Sequence, residues 1–220
     1  MTISTKNLNG LPDIQGLQRL TQSLAMLDAI LSPEWEYRYY SFNSAWAEGV
    51  AMASMRNGSG DHWFAVFCPA GAALHGLMHE APTFRPGNPS PAIFERLPAA
   101  FHANLLHEPA FTTQDSTFCI WRLADEARWS CGTAEASTGE EDADGSAQLL
   151  GILAGRPEQY VEFAGDYYEC DVDLDAVAAI YRHEPLSAAL VERLNPEADL
   201  ASLEGDIAEI GYPQPGAGAS

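Results

Sequence analysis

Residues 50–79 read VAMASMRNGSGDHWFAVFCPAGAALHGLMH, and the reading of this stretch decides the fold. Three runs rich in apolar residues, 50–56, 61–68 and 72–79, are separated by Asn57-Gly58-Ser59-Gly60 and by Pro69-Ala70-Gly71. Glycine supplies the positive φ that tight turns need, and asparagine and aspartate hydrogen-bond nearby backbone. Short turns between such runs predict an antiparallel meander. With a four-residue first loop, Arg56 falls opposite Asp61, Ser54 opposite Trp63 and Val50 opposite Phe67, while Ala53 faces Phe64 and Ala51 faces Val66. Both faces of the sheet then carry apolar side chains and both need cover, which helices at the two ends of the chain can supply.

Outward toward the N-terminus, Ile14, Leu17, Leu20, Leu24, Leu27 and Leu31 recur at helical spacing after Pro12-Asp13, and Ser32-Pro33 ends the pattern. The following EWEYRYYSFN, residues 34–43, is crowded with aromatics and reads as a further strand. Toward the C-terminus, 93–97 and 98–107 read as two short helical pieces divided at Pro98. A second hairpin is predicted from 117–123 and 127–132, with Trp121 against Trp129, Cys119 against Cys131 and Arg122 beside Arg128. After the polar run GEEDADGS, 139–146, every apolar repeat is helical: Tyr160, Phe163 and Tyr167; Leu174, Val177 and Tyr181; Leu186, Leu190 and Leu194; Leu200, Leu203 and Ile207. Each follows a proline or an aspartate, which is a helix start signal. The fold class is therefore α+β: an N-terminal helix, a mainly antiparallel sheet of about five or six strands, and acidic C-terminal helices. The parts are an α+β sheet region, 1–133, and an acidic helical region, 134–220, packed on the sheet as one domain.

The 220-residue chain carries 11 basic and 31 acidic residues, a net charge of −20. Residues 1–133 hold 12 acids and 8 bases (net −4), whereas 134–220 hold 19 acids and 3 bases (net −16). Such a field repels phosphate backbones and anionic lipid heads, so nucleic acid and membrane surface are excluded as partners. It attracts a basic protein, and the exposed run suggests Glu140, Glu141, Asp142 and Asp144 as contact residues. The first ten residues lack the apolar centre of a secretory signal, and the expectation is a cytoplasmic protein with reduced thiols at Cys68, Cys119, Cys131 and Cys170.

Candidate chemistry is sparse. His75 and His79 are four apart, but on a strand that step spans about 13 Å, too far for one metal. His102 and His107 sit five apart on a helical piece, on different faces. Asp171, Asp173 and Asp175 mimic the start of a calcium loop, yet Ala176 and Arg182 replace the glycine and glutamate that complete one, so Asp173 reads as a helix cap. Gly58-Ser59-Gly60 lacks the spacing of a nucleophile turn and the lysine of a phosphate loop. No cofactor or metal is implied. Arg56, beside the loop tip, reads as a surface ion pair with Asp61, and the two are the remaining candidate contact residues. The aromatic run Trp35, Tyr37, Tyr39, Tyr40, Phe42 and Trp46 reads chiefly as core, with a partner-binding platform as the alternative.

The stretch YYSFNSAWAEGVAMASMRNGSGD, residues 39–61, resembles a segment of uncharacterised bacterial proteins, a resemblance that implies no activity and transfers no site residue. In general character a small acidic α+β chain is similar to the immunity proteins that neutralise bacterial toxins. The sequence thus leads to a non-enzymatic acidic protein that engages a basic partner. The alternatives are a small hydrolase with its site near Arg56 and Asp61, and a homo-oligomeric structural subunit.

Overall fold

The computed structural model describes residues 2–134 and 142–214. The first helix, α1 (Ile14–Leu31), starts where Asp13 turns its carboxylate back to the amide of Gly16, 2.7 Å away. This satisfies one of the orphan donors of the first turn. Six strands then follow: β1 (Tyr40–Ala47), β2 (Val50–Arg56), β3 (His62–Cys68), β4 (Gly71–Leu77), β5 (Phe118–Leu123) and β6 (Ser130–Thr133). They form one sheet in the order β1-β2-β3-β4-β5-β6, antiparallel at every step.

Residues 34–39 do not join the sheet: Trp35–Tyr37 is a single 3-10 turn, and the strand begins only at Tyr40. Both predicted hairpins are displaced by one position. Arg56 faces His62, Ser54 faces Phe64 and Ala53 faces Ala65, because the first loop closes at Asn57–Asp61 and holds one residue more. Asn57 Oδ1 accepts from the amides of Ser59 and Asp61, which fixes this wider turn. In the second hairpin Trp121 faces Ser130 and Cys119 faces Gly132. Arg122 and Arg128 are not paired as strand partners, and the Trp129 indole instead donates to the Pro12 carbonyl at 2.7 Å.

Both faces of the sheet are apolar, and each builds its own core. The helices at the two ends of the chain cover the same face, not one face each. Leu24, Leu27 and Ile30 of α1 share one cluster with Trp63, Phe67 and Leu74 of the sheet and with α2 (Ser146–Leu150), α3 (Pro157–Tyr167), α4 (Leu174–Tyr181), α5 (Ala188–Leu194) and α6 (Glu204–Ile210). The opposite face, with Met52, Phe64, Val66 and Trp121, is covered by the middle of the chain through Ile93, Leu97, Phe101, Leu105 and Phe111. There the two predicted helical pieces are 3-10 turns (Pro91–Ile93, Ala99–Phe101) and one π-helical turn (His102–Leu106). Short turns let the chain follow a twisted sheet face closely, which a long rigid helix cannot do. Asp173 is the cap expected of it, accepting from the Ala176 amide at 2.9 Å, and α5 starts on a Ser187 cap, two residues after Pro185. Among the described residues, no helix is long and apolar enough to cross a membrane.

Candidate functional site

The 3-10 turn Trp35–Tyr37 links α1 to β1 and buries none of its residues. Arg38 holds it in place. Its Nε donates to the Ser32 carbonyl at 2.8 Å, and its two terminal nitrogens form a forked ion pair with Asp206 of α6. With the backbone clamped from behind, the rings of Trp35 and Tyr37 point outward, 53% and 56% exposed. Arg56, at the end of β2, lies with its guanidinium 4.4 Å from the centre of the Trp35 ring. Tyr167, the last residue of α3, is 42% exposed and donates its hydroxyl to the Tyr37 carbonyl at 3.1 Å. Three of the four exposed large hydrophobics of the described chain thus meet at one place, supported beneath by Tyr39, 4.6 Å from Tyr167, and by Phe163. Each exposed ring has an exposed carboxylate beside it in the chain: Glu34 before Trp35, Glu36 before Tyr37 and Asp166 before Tyr167.

The helical layer extends this negative rim. Of the 16 acids in residues 142–214, 13 are exposed, and the three exceptions are Asp142, Asp144 and Asp206. Two of the three arginines in the same span are already paired, Arg182 with Glu184 at 2.7 Å and Arg193 with Asp173 at 2.9 Å.

The candidate contact residues separate into outward and inward groups. Glu140 and Glu141 lie outside the described residues. Asp142 caps the first turn of α2 through the amides of Ala147 and Gln148. Asp144 is a correction: it is buried, and its carboxylate accepts from the hydroxyls of Thr5, Thr133 and Ser146 and from the Ser146 amide. It ties the N-terminal arm to β6 and has no outward face. Asp61 is corrected in the same way. It is 6% exposed and accepts from the Asn57 side-chain amide at 2.7 Å and from the His79 backbone amide at 2.9 Å, with His79 Nδ1 2.6 Å away, so its partners are His79 and Asn57 and not Arg56. Burial alone would raise the Asp61 carboxyl; the hydrogen bonds from His79 and Asn57 outweigh it and hold the pKa below the ordinary value.

Beside this pair lies a second polar group. The Ser116 hydroxyl is 2.8 Å from His75 Nδ1, and Thr112, a β-branched residue at φ +50°, sets its hydroxyl 3.2 Å from His62 Nε2. A serine beside an imidazole is the first half of a nucleophile and base. Here, however, both residues are buried, the His75 ring is packed against Phe64, and burial pushes its pKa down to about 3. An imidazole with that pKa is a poor proton acceptor at neutral pH, and the pair serves as packing and hydrogen bonding. Among the described residues, the side-chain hydrogen bonds of His79 go to Asp61 alone, and no three His, Cys, Asp or Glu side chains come together as metal ligands.

Reasoning from the residues missed that the aromatic run divides: Tyr40 and Phe42 go into the core, Trp46 stacks on Phe111, and Trp35 and Tyr37 stay outside. The signal was the alternation of glutamate with aromatic in Glu34-Trp35-Glu36-Tyr37 directly after a helix-ending Ser32-Pro33. Comparison with known proteins finds no matching family model, no matching curated protein and no matching solved structure.

Proposed function

We propose that this chain is a non-enzymatic binding protein that engages a basic protein partner through Trp35, Tyr37, Tyr167 and Arg56 and the carboxylates around them. The observation that carries this reading is the gathering of three exposed aromatic rings, each flanked by an exposed acid, in a chain that exposes 13 of the 16 acids of residues 142–214. Tryptophan, tyrosine and arginine dominate the energetic centres of protein interfaces, and exposed apolar patches rimmed by polar groups mark interaction sites. The carboxylates select a cationic partner and speed its approach. An immunity-like inhibitor that covers a basic toxin domain is one form this activity takes.

Affinity capture from the source cell with wild type and Trp35→Ala, at about 50 and 500 mM salt, tests the reading. The expected result is a cationic protein, identified by mass spectrometry, that wild type retains at low salt, loses at high salt, and that Trp35→Ala retains poorly. Retention of no basic protein, or equal retention by Trp35→Ala, overturns it. The homo-oligomer alternative gives the opposite salt response, since two acidic copies repel and self-association through this patch strengthens as salt is added. The hydrolase alternative rests on the orientation of the His79 ring by buried Asp61.

A further inference from the structure

At the β5–β6 edge of the sheet a cleft carries charge opposite to that of the molecule. Lys6 of the N-terminal arm, Arg96 of the middle segment, Arg122 of β5 and Arg128 of the β5–β6 connection line one opening of about 510 Å³. These are four of the chain's 11 basic residues, and among the described residues no acidic side chain lines the cleft with them. Its walls are more polar than apolar, and the Trp129 indole forms part of them.

The fold holds these walls together at several points. Cys131 Sγ contacts the Thr5 carbonyl at 3.3 Å, and the Trp129 indole donates to Pro12, so the arm is fixed to β6. Gly132 lets the Ile93 carbonyl approach so closely that a Cβ there would lie 2.2 Å from it, which brings the segment bearing Arg96 against the same strand. Arg122 Nε donates to the Glu126 carbonyl at 2.9 Å, a bond that orients the guanidinium.

We propose that this cleft binds a small phosphorylated molecule carrying two or more negative charges. Guanidinium forks match phosphate oxygens in geometry as well as charge, and the volume falls within the usual range of about 300–1,000 Å³ for small-molecule sites. At physiological salt, charge is screened beyond about 8 Å. Inside the cleft the guanidiniums of Arg96, Arg122 and Arg128 therefore act at short range, whereas a polymer reaching past it meets the field of a chain with net charge −20. That field selects a small anion over a nucleic acid.

Titration calorimetry with pyrophosphate and with ATP as probes, at about 50 mM salt, tests the site. One molecule of at least one probe is expected to bind per chain. Arg96→Gln and Arg128→Gln, both on exposed side chains, are each expected to weaken binding about ten- to hundredfold, with circular dichroism reporting that the fold is kept. Arg85→Gln, outside the cleft, is expected to bind as wild type does. Binding of neither probe, wild-type affinity in both cleft variants, or sulfate binding as tightly as pyrophosphate overturns the proposal.

Discussion

Asp28 lies in the middle of α1 with its carboxylate wholly buried. One oxygen accepts from the amides of Tyr39 and Tyr40 at 2.8 and 2.7 Å, and the other from the Tyr160 hydroxyl at 2.7 Å. The acid thus fastens the helix to the start of β1 and to α3. Loss of hydration raises its pKa from 3.8 to about 6, although those hydrogen bonds favour the charged form. Because the folded pKa lies above the unfolded one, the folded state keeps its proton longer. The stabilisation this gives is full below about pH 4 and is lost as pH rises through about 6, a loss of about 3 kcal/mol. Asp28→Asn cannot titrate. Urea unfolding of both proteins between pH 4 and 7 is expected to show wild type losing about 3 kcal/mol relative to the variant across that window, and a difference constant with pH excludes the assignment. The reading of α1 passed over Asp28, although it falls four residues after Leu24 on the apolar stripe. Its partners were not legible, because Tyr39, Tyr40 and Tyr160 reach it only through the tertiary fold, and the same holds for the inward turn of Asp61 and Asp144.

Apolar runs and turn residues sufficed to read β2, β3 and β4, because these central strands are buried on both faces and joined by short turns, whereas the start of β1 was misplaced where aromatics crowd a 3-10 turn. Register was harder. A turn's length is set by which side chains close it, and Asn57 binding the amides of Ser59 and Asp61 widened one loop, as Trp129 docking on Pro12 displaced the other. The cover of the second face was the least legible part. Residues 91–115 bury Ile93, Leu97, Phe101 and Leu105 at a helical step of four, yet the run is broken at Pro98 and forms 3-10 and π turns instead, with Phe111 off the stripe. That layer is held to the sheet edge where Gly132 meets the carbonyls of Ile93 and Ala92, at 2.2 and 2.7 Å from a Cβ built on it. Backbone cannot yield as a flexible side chain does, so Gly132→Ala is expected to destabilise the fold by about 2–3 kcal/mol. Gly151, at the end of α2, meets nothing within 4 Å of its would-be Cβ and has φ −55°. Gly151→Ala is expected to be neutral or to stabilise by up to about 1 kcal/mol, by restricting the unfolded chain. Thermal unfolding of the two variants distinguishes them, and equal effects would show that the contact between Gly132 and residues 92–93 does not constrain the fold.

Charge was the most legible property of the whole molecule, since counting carboxylates requires no geometry, and the exposed acids of α3 to α6 form the outer surface of one layer. The basic cleft was invisible for the converse reason: Lys6, Arg96, Arg122 and Arg128 are far apart in the chain and meet only at the sheet edge. The acidic layer gives salt opposite effects on folding and on association. Within the helical layer, like charges repel in the folded state more than in the expanded chain, so screening favours folding. A gain of about 1 kcal/mol between about 10 and 300 mM sodium chloride corresponds to a rise of about 2–4 °C in Tm for a chain of this size. Capture of a basic partner must weaken over the same range, because there the screened interaction is an attraction. Measured together by thermal unfolding and by binding, a rising Tm with falling affinity is the expected pair. A Tm that falls with added salt would mean that attraction of these carboxylates to cations within the fold outweighs the repulsion among them, and would overturn the account of the helical layer as a self-repelling surface.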